Sequence, residues 1–519
     1  MAQMHEYFNA HPGRRSALVV VVTLAMVMQT LDATIANVAL PHMQSSMSAA
    51  QDQISWVLTS YMIASAIGMS LTGFLASRFG VKRLLNVSIV GFTVASMLCG
   101  IAQSLPEMIL FRIAQGLFGA GLLPLSQSIM LDVFPREKQG PAMAIWGMGV
   151  MLGPILGPTL GGYLTEYYNW RWIFFINAPL GVICTLSVIA LLPETPPNKQ
   201  TYFDMLGFGL LAVALASFQL MLDRGETLDW FSSGEIIIEA SLAGLCFYAF
   251  LAHVLTTDKP FITPSLFRDL NYAVSMVIGA AFGVTLFATM TLMPMMLQGL
   301  MHYSVIDTGL VLMPRGVGTM FAMAIVGRII TRMDPRLIMF FGLMLTAAAL
   351  WHMSTWTVDV SEFEMIATGV LQGVGIGFLF PPLSMIAYMT LAPTLRTEAA
   401  AFFSLTRNMG SSVGISVMVA LLAQNTQINH ATLAEHITPF SRALQALIPS
   451  AGWSIDGAAG MAQLNGELTR QAMMISYVND YRAMAYAIMI VTPLIFLLRL
   501  PKKGAVAPTG QPAMAAAEH

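Results

Sequence analysis

The chain has 519 residues, 56% of them hydrophobic and only 10% charged, with a mean hydropathy of +0.69. Soluble domains carry about a quarter charged residues, so this composition excludes an ordinary soluble protein. The formal net charge of −2 argues against a nucleic-acid partner, which would need a dense basic face.

Met1 to Gly13 is polar, and the apolar run after it is too long for the core of a cleavable signal, so that run is expected to remain as the first helix. A helix crosses the ~30 Å hydrocarbon layer in about 20 residues, because lipid offers no partner to free backbone groups. Apolar runs bounded by charges, Pro and Gly predict an all-α membrane protein of fourteen spans. Six lie at roughly 15–40, 54–76, 84–103, 107–131, 141–165 and 171–192. Two follow at roughly 203–222 and 235–256. Six more lie at roughly 272–299, 306–330, 336–356, 363–391, 399–424 and 480–500. With the N-terminus inside, 17 Lys and Arg fall on inner segments and 5 on outer ones. The basic excess marks the cytoplasmic side, so both termini are expected there. Arg112, Arg315 and Arg407 remain within spans. Residues 425–479 read as a long polar outer loop, with amphipathic stretches such as His430 to Leu447 that either meet a partner or are filler. Cys99, Cys184 and Cys246 sit in apolar runs without metal-ligand spacing and read as buried thiols.

Many transporters are built from two similar halves around a central site. An offset of 257 residues aligns Gln115-Gly116 with Gln372-Gly373, Pro124 with Pro381, Gly153 with Gly410 and Gly157 with Gly414. This predicts pseudo-symmetric six-helix bundles at 1–200 and 259–519, with an inserted helix pair at 201–258.

Charges inside spans are costly and mark ion or substrate paths. Asp32 lies about 13 Å below the outer end of the first span, on one face with Gln29, Ala33 and Ala36. Burial favours the neutral form of a carboxyl group and a nearby cation the charged form, so an acid that exchanges these settings loads and releases a proton. The competing reading is a snorkelling or helix-tethering acid. Arg112 sits roughly 8 Å deep on the fourth span, so pairing with Asp32 is geometrically open, and a guanidinium there would sense its protonation. The competing reading is a structural arginine. Gln115, Gln372, Arg315 and Arg407 are further coupling or cavity candidates. Asp223 is either one more or half of a surface ion pair with Arg224. On the fifth span, Gly149, Gly153-Pro154, Gly157-Pro158 and Gly161-Gly162 lay a smooth groove with loosened backbone, suited to a rocking helix or simply to close packing. Forty methionines, Met290, Met293, Met295 and Met296 among them, suit a promiscuous apolar cavity, although most must face lipid or core. No phosphate-binding loop, zinc pattern or nucleophile elbow stands out. Neither an enzyme nor a bound cofactor is expected, and uphill transport would draw on an ion gradient.

Together these motifs resemble the fourteen-helix drug:proton antiporter branch of the major facilitator superfamily, and within it the EmrB-like multidrug exporters. Leu31 to Pro41 resembles the branch's first-span signature, and Leu110 to Gly116 the fourth-span motif linked to proton transfer. Gly153 to Gly162 resembles the antiporter motif associated with export. Trp170 to Asn177, with Leu222 to Gly225 and Leu228 to Phe231, resembles the EmrB-like group itself. The inner loop Gly73 to Arg83 resembles the superfamily's gating loop, with Arg78, Gly80, Lys82 and Arg83 in place but Ser77 where the pattern usually has Asp. The resemblance implies proton-driven efflux of hydrophobic and amphipathic compounds across a bacterial inner membrane by alternating access. It also implies a periplasmic adaptor and an outer-membrane channel as partners, with the 425–479 loop a candidate docking surface. Two rivals remain: a dedicated exporter of one endogenous metabolite, such as a siderophore or fatty acid, and a non-transporting receptor or adaptor on the same fold.

Overall fold

The computed structural model describes residue 8 and residues 11–194, 202–437 and 457–500. Among the described residues there is no strand, and fourteen helices are long and apolar enough to cross a membrane. They are α1 (Pro12–Ser46), α2 (Trp56–Phe79), α3 (Val81–Ile101), α4 (Leu105–Val133), α5 (Gln139–Tyr167), α6 (Trp172–Leu191) and α7 (Met205–Arg224). The others are α8 (Gly234–Thr256), α9 (Leu270–Leu300), α10 (Val305–Ile329), α11 (Pro335–Met353), α12 (Glu362–Met389), α13 (Pro393–Glu435) and α14 (Ala458–Leu497). The end at which α1 begins is called the inner end below.

Helix starts are written locally in the sequence. Asp204, Asp269, Ser304, Asp334 and Ser361 each accept a bond from a first-turn N–H of α7, α9, α10, α11 and α12. Such caps satisfy donors that a helix leaves free at its N-terminus. The reversal from α2 to α3 turns on Gly80 at φ 87°, a conformation that a side chain would oppose.

Packing repeats after eight helices. α1 packs on α5, α2 on α4, α3 on α4 and α6; in the same pattern α9 packs on α13, α10 on α12, α11 on α12 and α14. The two sets meet where α5 lies along α10 and α2 along α13. α7 and α8 pack on each other and reach the rest mainly through α2 and α13. A junction at the inner end ties this pair down. The Asp204 carboxylate accepts from Gly207 N (2.9 Å), His253 Nε2 (2.9 Å) and Phe261 N (3.1 Å). Burial alone would raise its pKa, but these donors hold it below the ordinary carboxylate value.

The outer segment at 425–479 departs from the expected polar loop. α13 continues to Glu435 and α14 already begins at Ala458, forty-residue-scale helices that run beyond a membrane's thickness. Asn429 Nδ2 donates to Ser476 Oγ (3.0 Å) and His430 Nε2 lies 3.0 Å from Asn465 Oδ1, zipping the extensions together. These polar bonds explain why hydropathy alone ended the spans too early. Residues 438–456, including most of the amphipathic stretch to Leu447, lie outside the described residues, as do Lys199, Lys502 and Lys503 of the inner basic segments.

Candidate functional site

α1, α4 and α6 meet around Asp32. Its Oδ2 accepts from Arg112 Nη1 at 2.7 Å, and its Oδ1 from Gln115 Nε2 at 2.8 Å and Asn177 Nδ2 at 3.2 Å. Both side chains of the ion pair are fully shielded, at 0% exposure. Arg112 is fixed in turn: Nε donates to Val57 O (3.1 Å), Nη1 also to Gln115 Oε1 (2.9 Å), and the guanidinium stands over the Tyr61 ring at 4.2 Å. Asn177 is held by Ser96 Oγ, which donates to Phe174 O. Stripping water from two charges costs several kcal/mol per ion, and these bonds offset much of it, although Arg112 Nη2 and Asn177 Oδ1 stay without a partner among the described residues. The geometry therefore has a chemical consequence. A proton on Asp32 would cancel the charge that Arg112 answers to and leave a guanidinium buried without a counter-ion.

The other polar candidates separate. Gln29 makes no hydrogen bond to Asp32: its Oε1 accepts from Leu123 N at 3.1 Å, where α4 breaks between Gly119 and Leu122 and Pro124 contributes no N–H. Gln29 thus takes up a donor that the break frees. Gln372 donates to Thr289 Oγ1 on α9 at 3.2 Å. Arg315 and Arg407 are each 6% exposed, with no carboxylate at salt-bridge distance among the described residues. Asp223 accepts from Gln219 Nε2 (2.8 Å) on its own helix, while Arg224 pairs with Glu235, so the alternative of an Asp223–Arg224 pair is set aside.

The glycines of α5 do lie against α1. A Cβ on Gly153 would fall 2.5 Å from the Thr30 carbonyl carbon, and one on Gly157 2.1 Å from Thr34 Oγ1. Thr34 Oγ1 also donates to Gly153 O (3.0 Å). Gly410 and Gly414 press on Ala280 and Val284 of α9 in the same manner, whereas Gly162 faces open space. Pro154 and Pro158 lie within α5.

At the inner end, Lys82 donates to Ile189 O (2.8 Å) and Arg83 lies 3.5 Å from Glu194, so both basic residues grip α6 and the segment following it, within their own set of helices. The contacts that cross between the sets come from elsewhere. Arg396 Nη1 meets Asp132 Oδ1 at 3.0 Å, with both side chains under one-tenth exposed. Ser128 Oγ lies 2.8 Å from Thr397 Oγ1, and Tyr388 donates to Gln127 (3.1 Å). Glu398 packs on Gly73 and accepts from Thr263 N and Oγ1. The sequence does not single out Asp132, Glu398 and Tyr61, and it marks Asn177 only as the end of the Trp170 to Asn177 motif. The first two stood at span ends, where acids look solvated, and Asn177 and Tyr61 are unremarkable without their neighbours.

The chain matches the Major Facilitator Superfamily over residues 22–415. It is 34% identical to the fatty acid resistance protein FarB of Neisseria gonorrhoeae, covering 95% of this chain and 98% of that one. It is 33% identical to the multidrug export protein EmrB of Escherichia coli (strain K12), over 93% and 95% of the two chains, and 32% identical to the probable multidrug resistance protein EmrY of the same strain, over 94% and 96%. Among solved structures, the crystal structure of the human organic anion transporter MFSD10 superposes with a TM-score of 0.62 at 13% identity, covering 93% of this chain and 99% of that one, which speaks to the fold alone. These relatives are membrane transporters, so neither an enzymatic site nor a bound cofactor is called for. The chain is a multi-pass member of the Major Facilitator Superfamily and belongs to its EmrB-like exporters.

Proposed function

We propose that the chain exports amphipathic and hydrophobic compounds from the cytoplasm across a bacterial inner membrane by alternating access, driven by protons that load and leave Asp32. The observation that carries this reading is the Asp32–Arg112 pair, 2.7 Å apart and wholly shielded inside the helical bundle. A buried charge pair is costly, and function is the usual reason to keep one in a membrane. In this scheme the bundles at 1–200 and 259–519 rock against one another, with 201–258 as the inserted pair. Both termini face the cytoplasm. Gln115 positions the acid, the α5 glycines let α5 slide along α1, and the Asp132–Arg396 cluster shuts the inner end. Arg78, Gly80, Lys82 and Arg83 shape the inner loop within the first bundle. A periplasmic adaptor and an outer-membrane channel complete the route, with the outer extensions of α13 and α14 as the docking surface.

One elementary charge moving through 100 mV provides about 2.3 kcal/mol, which supports roughly 50-fold accumulation of an uncharged substrate, whereas a monocation exchanged for one proton draws on the pH difference, about tenfold per pH unit. The experiment is ethidium efflux from cells expressing the chain, with and without an uncoupler, beside the Asp32→Asn variant. Uncoupler-sensitive efflux that vanishes in the variant is expected; wild-type efflux by Asp32→Asn removes the carrier. One observation favours a second reading. The relative named for fatty acid resistance shares 34% identity, which fits a dedicated exporter of a single amphipathic metabolite. Resistance profiles across unrelated dyes and drugs separate the two.

A further inference from the structure

Arg112 and Arg407 are both buried arginines, yet their surroundings differ. Arg112 has a carboxylate, a backbone carbonyl and an amide oxygen. Arg407 has no hydrogen-bonding partner for its guanidinium among the described residues. Its Nε is shielded and unpaired, and its nearest compensation is the face of Phe380 at 5.7 Å. A ring face offsets only part of the cost of burying a cation. Arg407 stands about 16 Å along α13 from Arg396 at the inner end, close to mid-membrane.

Phe380 stacks with two further rings. Trp146 lies 5.6 Å away and Phe282 5.4 Å, at interplanar angles of 14° and 28°. Trp146 belongs to α5 and Phe380 to α12, so this stack bridges the two sets of helices. Trp146 and Phe380 are fully covered in the conformation described, at 0% exposure. Any separation of the sets parts Trp146 from Phe380 and bares flat aromatic faces beside an uncompensated guanidinium.

We propose that Arg407 is the acid-recognition point of the substrate path, taking the carboxylate or sulfonate of an amphipathic organic anion whose apolar body lies on the Phe380–Phe282 rings. This rests on the export reading above and narrows its substrate class. The fork of guanidinium N–H groups matches a planar acid bidentately, and the anion supplies the counter-charge that the protein withholds. Arg315 does not share this site: it lies against Gly369 and Gly373 of α12, away from the stack.

The test uses the purified full chain in inside-out proteoliposomes energised by a proton gradient, with two permanently charged fluorescent probes, anilinonaphthalene sulfonate and ethidium. The wild type is expected to concentrate both. Arg407→Gln should raise the sulfonate KM about tenfold or more relative to the ethidium KM, since a charged hydrogen bond is worth about 1.5–3 kcal/mol. Arg407→Lys should recover part of that preference. If Arg407→Gln does not fold, Arg407→Lys alone carries the test through a smaller shift of the same sign. Equal changes for both probes make Arg407 structural and overturn the inference, as does an unchanged sulfonate KM. A wild type that concentrates ethidium but not the sulfonate overturns this inference and leaves export standing. A wild type that concentrates neither overturns export itself.

Discussion

The contact between α1 and α4 and that between α9 and α12 are built on one plan with different chemistry. In each, a glutamine followed by glycine sits on the second helix, Gln115-Gly116 on α4 and Gln372-Gly373 on α12. Each glycine meets a neighbouring backbone: a Cβ on Gly116 would fall 2.5 Å from Tyr61 O, and one on Gly373 2.1 Å from Arg315 O. Each glutamine donates to the first helix of its set, Gln115 to Asp32 and Gln372 to Thr289. There the likeness stops. Asp32 is charged and answered by Arg112, whereas Thr289 is a neutral hydroxyl that also donates to Thr285 O (2.6 Å) on its own helix. Gly369 stands at the position offset by 257 from Arg112. A duplicated scaffold has thus kept its packing and placed an ion pair on one side only. Under the proposed coupling, that asymmetry provides one proton-loading site rather than two.

Removing Arg112 should break the comparison most severely. Arg112→Leu leaves a buried carboxylate without its cation, at a cost of about 3–5 kcal/mol, read as a large drop in thermal unfolding temperature in detergent. Adding Asp32→Asn to that variant should restore most of the stability. Asp32→Asn alone should keep the fold and lose the roughly tenfold accumulation per unit of pH difference that one proton per ethidium cation supports, measured as proton-driven ethidium accumulation in inside-out vesicles. Gly153→Val should cost about 2 kcal/mol by overpacking against Thr30, while Gly162→Ala, facing open space, should be silent in the same thermal assay. On the neutral side, Gln372→Leu removes one ordinary bond and should cost about 1 kcal/mol. Equal losses for Gln372→Leu and Arg112→Leu would erase the distinction between the halves. The smallest effect belongs to Asp204. Because its folded pKa is lowered, its contribution is complete above about pH 4 and is lost as pH falls through that unfolded value and below. Asp204→Asn should therefore narrow the stability gap to wild type only under acid, with unfolding temperatures followed from pH 7 to pH 3.

Much of this was legible in the chain itself. Lipid denies hydrogen bonds to free backbone, so apolar runs of about 20 residues had only one conformation open to them, and fourteen helices followed from counting. Glycines recur at a fixed offset because backbones that touch tolerate no side chain. Asp32 and Arg112 announced themselves because a charge within such a run needs a reason. The extensions of α13 and α14 escaped because they are polar helices that meet through side-chain bonds between Asn429 and Ser476 and between His430 and Asn465, which no hydropathy window registers.

Tertiary structure decided which polar groups meet. Gln29 and Gln115 are both amides near Asp32, but one fills a break in α4 and the other holds the acid. Lys82 and Arg83 look like a gate and grip their own neighbours, while Asp132 and Arg396, 264 residues apart, bond across the two sets of helices near the inner end. Local sequence fixes which segments enter the membrane, since each must satisfy its own backbone. The pairing of side chains depends on helix rotation and depth, and those are set only when the helices pack against one another.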